Sequence, residues 1–139
     1  MMEFFLPIEP PTATHQMKKV TVVRGKPRFY EPPQLAQARE QLISHLQPYR
    51  PIAPLTGALR LETRWSYPCK RGRHDGDWKT TRPDTDNMVK LLKDCMTALG
   101  FWLDDALVCD EHIRKVWAAQ PGLYVKVERL ESQEKVGGT

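Results

Sequence analysis

The clearest alternation in the chain runs from Ala58 to Tyr67, where Leu59, Leu61, Thr63, Trp65 and Tyr67 interleave with Arg60, Glu62, Arg64 and Ser66. A period of two puts one set of side chains on a buried face and the other on a wet one, so this segment predicts a half-buried strand. A helical period follows, with Met88, Leu91, Leu92, Cys95, Met96 and Leu99 at i, i+3, i+4 and i+7 spacing, which predicts a helix over 84–99. Asp84 or Thr85 suits its N-cap, and Gly100 falls where a left-handed terminal residue is wanted. Leu35, Ala38, Leu42 and Leu46 mark an earlier helix, opened by Pro32-Pro33 and ended near Pro48. Shorter strands are expected over 4–6, 19–23 and 28–30, the last two joined at Gly25-Lys26-Pro27. Ala106 to Trp117 reads as a strand, Pro121-Gly122 as a turn, and Leu123, Val125 and Val127 as the buried face of a final strand. Strands and helices mix without a regular repeat. The expected fold is therefore α+β: one small domain over 1–139, two main helices on a mixed sheet, and a frayed tail over 131–139.

Composition narrows the class only slightly. The 139 residues carry 40% hydrophobic and 27% charged side chains, which suits a single core. No apolar run is long enough to span a membrane, and the first residues, Met1-Met2-Glu3-Phe4-Phe5-Leu6, are too short and acidic for a signal peptide, so a cytoplasmic location is expected. The three cysteines, Cys69, Cys95 and Cys109, lack metal-binding spacing and do not suggest a disulfide framework. A net charge of +4 and a pI near 9.1 are compatible with a nucleic-acid partner but do not specify one.

The chemistry is concentrated at the two ends of the second helix. Asp84-Thr85-Asp86 opens it, and Asp104-Asp105 follows just past its end. Residues two apart inside a helix diverge, but Asp84 precedes the helix in extended backbone, so its carboxylate and that of Asp86 can converge. Lys90 lies four residues after Asp86, on the same face. A helix of about 14 residues is about 21 Å long, so Asp104 and Asp105 join this site only if the next strand, or a dimer partner, brings them back. The plainer readings are an N-cap for Asp84, an i, i+4 ion pair for Lys90 with Asp86 or Asp94, and a surface turn for Asp104-Asp105. Clustered aspartates would instead hold Mg²⁺ or Mn²⁺, hard cations that prefer oxygen ligands, beside a lysine that steadies a phosphate. Between the strand and the helix, residues 68–82 carry Lys70, Arg71, Arg73, His74, Lys79 and Arg82, with Asp75, Asp77 and Trp78 among them. This is either a solvated, mobile connection or a basic arm that touches phosphates and stacks on a base.

Arg82-Pro83-Asp84-Thr85-Asp86-Asn87-Met88-Val89-Lys90, followed by Gly100-Phe101-Trp102-Leu103-Asp104-Asp105-Ala106-Leu107-Val108, is similar to the signature of the RusA family of Holliday junction resolvases. The resemblance is specific over 82–108 and looser over 55–130. It implies the small RusA fold as a homodimer, a Mg²⁺-dependent endodeoxyribonuclease, and a four-way DNA junction as substrate, cut by paired symmetric nicks in recombination and repair. It implies catalytic roles for Asp84, Asp86, Lys90 and Asp105, with Asp84, Asp86 and Asp105 binding the metal and Asp104 at its margin. Asn87 would orient Asp86 or touch substrate, and Lys70, Arg71, Arg73, Lys79 and Arg82 would face DNA. The 68–82 segment is longer than the family's basic loop. A less selective branched-DNA nuclease and an inactive DNA-binding accessory protein are the competing readings. The intact set of Asp84, Asp86, Lys90 and Asp105 argues against the second.

Overall fold

The computed structural model describes residues 1–13 and 19–131; the expected tail beyond Glu131 lies outside the described residues. Four strands form the main sheet: β1 (Met2–Leu6), β4 (Leu59–Pro68), β5 (Val108–Ala118) and β6 (Gly122–Arg129), in the order β1-β6-β4-β5. Strands β2 (Lys19–Val23) and β3 (Lys26–Tyr30) make a separate antiparallel hairpin. Helices α1 (Pro33–Leu46) and α2 (Thr85–Ala98) complete the fold. The sheet is mixed, because β4 runs parallel to β5 and antiparallel to β6, and β6 is antiparallel to β1.

The period of two in β4 sorts its side chains as expected. Leu59, Leu61, Thr63, Trp65 and Tyr67 are all buried, while Arg64 is exposed on the other face. Thr63 can be buried because its hydroxyl accepts the Trp65 indole N–H at 2.9 Å. Register puts Val127, Val125 and Leu123 of β6 beside Leu61, Thr63 and Trp65, and Phe4 and Leu6 of β1 beyond them. Leu35, Leu42 and Leu46 of α1 and Met88, Leu91, Leu92 and Met96 of α2 close the same core. Both helices therefore cover one face of the sheet and leave the other open. Each buried aliphatic or aromatic side chain contributes roughly 1.5–3 kcal/mol.

Two local devices fix the C-terminal end of α2. Gly100 takes φ 79°, its N–H reaches the Thr97 carbonyl at 3.0 Å, and the Phe101 N–H reaches Met96 at 3.0 Å. This paired reversal satisfies orphan carbonyls and drops Phe101 into the core. The Trp102 indole N–H then donates to the Thr97 hydroxyl at 2.7 Å, and the proline-rich segment before β4 pins the turn through Leu55 N–H to Phe101 carbonyl at 2.8 Å. Cys95 is fully buried, which pushes its thiol up to about 11 and leaves it a packing residue.

The segment 68–82 differs most from expectation. It folds back along the outer edge of β5 instead of forming a mobile connection. The Gly76 N–H bonds to the Trp117 carbonyl at 2.8 Å, the Trp117 N–H to Asp77 at 2.8 Å, and the Lys79 N–H to Lys115 at 3.1 Å. The Asp75 and Asp77 carboxylates accept the Ala119 and His74 N–H groups at 2.9 and 2.8 Å. These two acids, which looked like interruptions of a basic stretch, shape its turns. Leu61→Ala is expected to lower unfolding stability by about 2–5 kcal/mol, and Arg71→Ala by less than about 0.5 kcal/mol, measured by urea denaturation.

Candidate active site

The route into α2 is held from the sheet. Lys115, on the helix-facing side of β5, donates to the carbonyls of Thr81 and Pro83 at 2.7 and 2.8 Å. Pro83 is buried after a cis Arg82–Pro83 bond, and Asp84 follows at once. Asp84 takes the N-cap position with φ −72° and ψ 147°, yet its side chain makes no capping hydrogen bond. Its carboxylate is thus exposed beside the helix N-terminus, where a negative charge is electrostatically favoured. Asp86 lies in the first turn, also exposed, and Asn87 is half-buried next to it.

The chain itself returns the second acidic pair. After the Gly100 reversal, a short 3₁₀ turn (Asp105–Leu107) leads into β5, which runs back along α2. Asp105 opens that short turn, ahead of β5, and the turn itself brings it to 3.3 Å from the Lys90 ammonium; Lys90 also meets Asp94 at 3.0 Å. Four helical residues rise about 6 Å, so the Lys90 backbone stands about one turn from that of Asp86. One turn farther along, Lys93 pairs with Glu111 of β5 at 3.1 Å. Donation to the Asp94 carboxylate, joined by that of Asp105, raises Lys90 above its ordinary value, so it remains cationic. The Asp104 carboxylate acts locally, accepting the Ala106 N–H at 2.8 Å and capping the 3₁₀ turn.

Among the described residues no three His, Cys, Asp or Glu side chains gather tightly enough to hold a metal ion. The acids form an open row in which Lys90 occupies the gap. The donor chemistry nevertheless suits a hard divalent cation: the ligands offered are carboxylate oxygens, and Mg²⁺ commonly keeps several waters alongside one or two carboxylates.

Cations surround the approach. Lys70 and Arg73 lie over the Trp117 ring at 5.9 and 5.7 Å, and Arg71 and Arg82 are exposed. Lys79 departs from the expected basic arm. It is 7% exposed, its ammonium sits 4.2 Å from the Trp117 ring and 5.0 Å from that of Tyr67, and it donates to Thr81 at 2.6 Å. Burial, with the like charges of Lys115, Lys70 and Arg73, lowers its pKa. Edge pairing turns this side chain inward, against the two rings.

Residues 7–128 match the family model for the endodeoxyribonuclease RusA. The chain belongs to the RusA family. It is also 30% identical over 116 residues, 82% of this chain and 87% of the other, to the crossover junction endodeoxyribonuclease rusA of Lactococcus phage r1t. As a RusA-family nuclease the protein is a hydrolase of phosphodiester bonds. The two stretches that resemble the RusA signature, Asp84–Lys90 and Gly100–Val108, are the helix start and the returning turn that meet at Lys90 and Asp105.

Lys115 was not visible as a site residue in the sequence. It sits in the polar stretch Glu111-His112-Ile113-Arg114-Lys115, and nothing in that stretch reveals a contact with carbonyls more than 30 positions earlier. Lys115→Met is expected to slow DNA cutting by about 10- to 100-fold, because an active-site displacement of about 1 Å has that effect. Rates at saturating substrate, with a thermal melt to show the fold intact, check this; an unchanged rate would make the clamp purely structural.

Proposed function

We propose that this RusA-family nuclease resolves four-way DNA junctions with Asp84, Asp86 and Asp105 as Mg²⁺ ligands and Lys90 as the cation that positions the scissile phosphate. The observation that carries this reading is the return of Asp105 to Lys90 on the α2 face shared with Asp86. The Asp84 carboxylate, which makes no capping hydrogen bond at the start of the same helix, supports it. The name of the phage relative, a crossover junction endodeoxyribonuclease, points to the same substrate class.

The residues divide the work by chemistry. Bound Mg²⁺ would supply charge neutralisation and an acidified water. Asp84 and Asp86 offer oxygens from the fixed start of α2, and Asp105 offers one from the returning turn. Lys90 now bridges Asp105 and Asp94. An incoming phosphate would compete for its donors, freeing the Asp105 oxygen on the side facing substrate. Asp104 stays with the turn and sets the position of Asp105. Asn87 lies beside Asp86 and orients it or touches the strand. Lys70, Arg71, Arg73 and Arg82 flank the entrance and take neighbouring phosphates, which places strong salt dependence on binding. One chain carries one acidic row and makes one nick, so a two-fold dimer supplies the symmetric pair that a junction requires. Recombination and repair are the settings where such junctions arise.

The decisive assay uses an end-labelled synthetic four-way junction beside a linear duplex of the same sequence, with Mg²⁺, with EDTA, and with Asp86→Asn. Symmetric Mg²⁺-dependent nicks on the junction alone, absent in the variant, are expected. Equal cutting of both substrates would reduce the protein to a general nuclease, and binding without cutting to an accessory DNA-binding protein. Asp105→Asn is expected to keep junction binding while the rate falls by at least ~10², since an amide is a poor Mg²⁺ ligand. Loss of binding together with cutting would count against the ligand role.

Lys90 yields a prediction about pH. Its folded value is raised above 10.5, so the stability lent by its pairing is complete below pH 10.5 and is lost only as the pH climbs through the raised value. Lys90→Gln should therefore lower the pH–rate profile between about pH 6 and 9 by ~10² without changing its shape. A limb that vanished in the variant would mean that Lys90 titrates as a base.

A further inference from the structure

The open face of the sheet carries a groove of about 490 Å³ over the second halves of β4 and β5, lined by Phe5, Arg64, Ser66, Trp78, Arg114 and Val116. Arg64 and Arg114 are direct neighbours in the parallel ladder, so two guanidinium groups project side by side from adjacent strands. Like charges so placed repel. Elsewhere on this face the charges are matched: Arg60 bonds to Asp110 at 2.7 Å and to Glu128 at 3.3 Å, and Lys126 to Glu128 at 2.7 Å. Among the described residues neither groove arginine has a carboxylate partner. Arg64 lies over the Tyr124 ring at 5.6 Å, and Asp75 at the rim accepts the Ala119 N–H. With Glu62 and Glu3 in register beside Lys126, the face is acidic at one end and cationic at the other.

The walls are aromatic and fixed. Trp78 is 67% exposed, although its backbone is bridged to Val116 and the next N–H is bonded to Lys115. A large indole held in water on a fixed backbone has no packing role. Phe5 lies against Gly122, where a Cβ would run into the ring, so the groove floor depends on that glycine. Only six positions separate Trp78 from Asp84, and the intervening chain rounds the β5 edge from the open face to the helix face.

Resting on the reading that the enzyme cuts branched DNA, we propose that this groove binds an unpaired DNA strand, Arg64 and Arg114 holding phosphate and Trp78 stacking on a base. Paired arginines suit phosphate oxygens, and an exposed aromatic gives sequence-tolerant stacking. A duplex has no free base face to offer Trp78. A second copy of this chain is disfavoured, since a two-fold axis through the groove would set the arginine pair against itself. The groove would take the strand that leaves the branch point while the acids on the far side of the β5 edge hold the scissile phosphate.

The test is binding of a fluorescein-labelled oligothymidine to the full-length protein in EDTA, followed by anisotropy and by tryptophan emission. Trp65, Trp102 and Trp117 are buried, so quenching of the solvent-exposed emission reports Trp78. The expected result is quenching on binding, about 10-fold weaker affinity for Trp78→Ala, and near-native affinity for Trp78→Phe. Arg64→Gln with Arg114→Gln should weaken binding and make the slope of log affinity against log salt shallower by about 0.7 for each phosphate no longer neutralised. Changes under twofold in both the Trp78→Ala and the double-arginine proteins would overturn the proposal. A shift in sedimentation by the double variant, with oligonucleotide binding unchanged, would overturn it in favour of a protein interface. Cleavage by the wild-type enzyme is measured in parallel on the four-way junction. Junction cutting without oligonucleotide binding defeats the groove alone; oligonucleotide binding with the expected variant effects but no junction cutting defeats only the resolvase reading.

Discussion

Two parallel strands cannot be joined by a tight turn; the chain must cross back over the sheet before it can run in the same direction again. In this protein that crossover is α2, between β4 and β5, and nearly everything about the site follows from it. The helix must run against β5, so residues just past its C-terminus re-enter alongside it. Asp105, about 28 Å from Asp86 in a straight continuation, instead comes to rest beside Lys90, the residue one turn after Asp86. The same geometry brings Lys115, late in β5, back to the carbonyls that precede α2. A crossover that closes the core also gathers these side chains, from residues 15 to 34 positions apart.

Electrostatics then sort the side chains that the topology has gathered. Along α2, acids and lysines meet in bridged pairs, Lys90 with Asp94 and Asp105 and Lys93 with Glu111, which offsets the repulsion along the row. Lys79 shows the opposite outcome. Turned inward by edge pairing, it sits between two aromatic rings and among three other cations, where the rings offset only part of the repulsion. Trp78, its neighbour in sequence, points the other way for the same reason, because successive residues of a paired segment face opposite sides.

Much of this was legible in the sequence because it depends on period. The alternation Leu59 to Tyr67 marked the central strand, and the apolar spacing from Met88 to Leu99 marked α2, with Gly100 in the left-handed position that ends it. The acids at both ends of α2 were visible as well, but whether β5 or a partner chain would return Asp105 was not, because period carries no information about strand order. The 68–82 segment was opaque for a related reason. Its edge pairing uses backbone groups, which every residue has, so charged side chains disguised an ordered element as a loose one. Lys115 and the Arg64–Arg114 pair were hidden in the same way: each acquires its meaning from a neighbour that only register supplies.

The bare cap at Asp84 has a consequence for how such a protein changes over time. A helix start whose amides are left to water forgoes up to about 2 kcal/mol that a hydroxyl or a bonded carboxylate would contribute. Drift under selection for robustness alone would favour substitutions that close the cap, and each would remove a free oxygen from the end of the acidic row. That site is therefore a point where durability and function pull in opposite directions. With Asp84 in the ligand role proposed above, a lineage that became more stable here would do so by ceasing to cut.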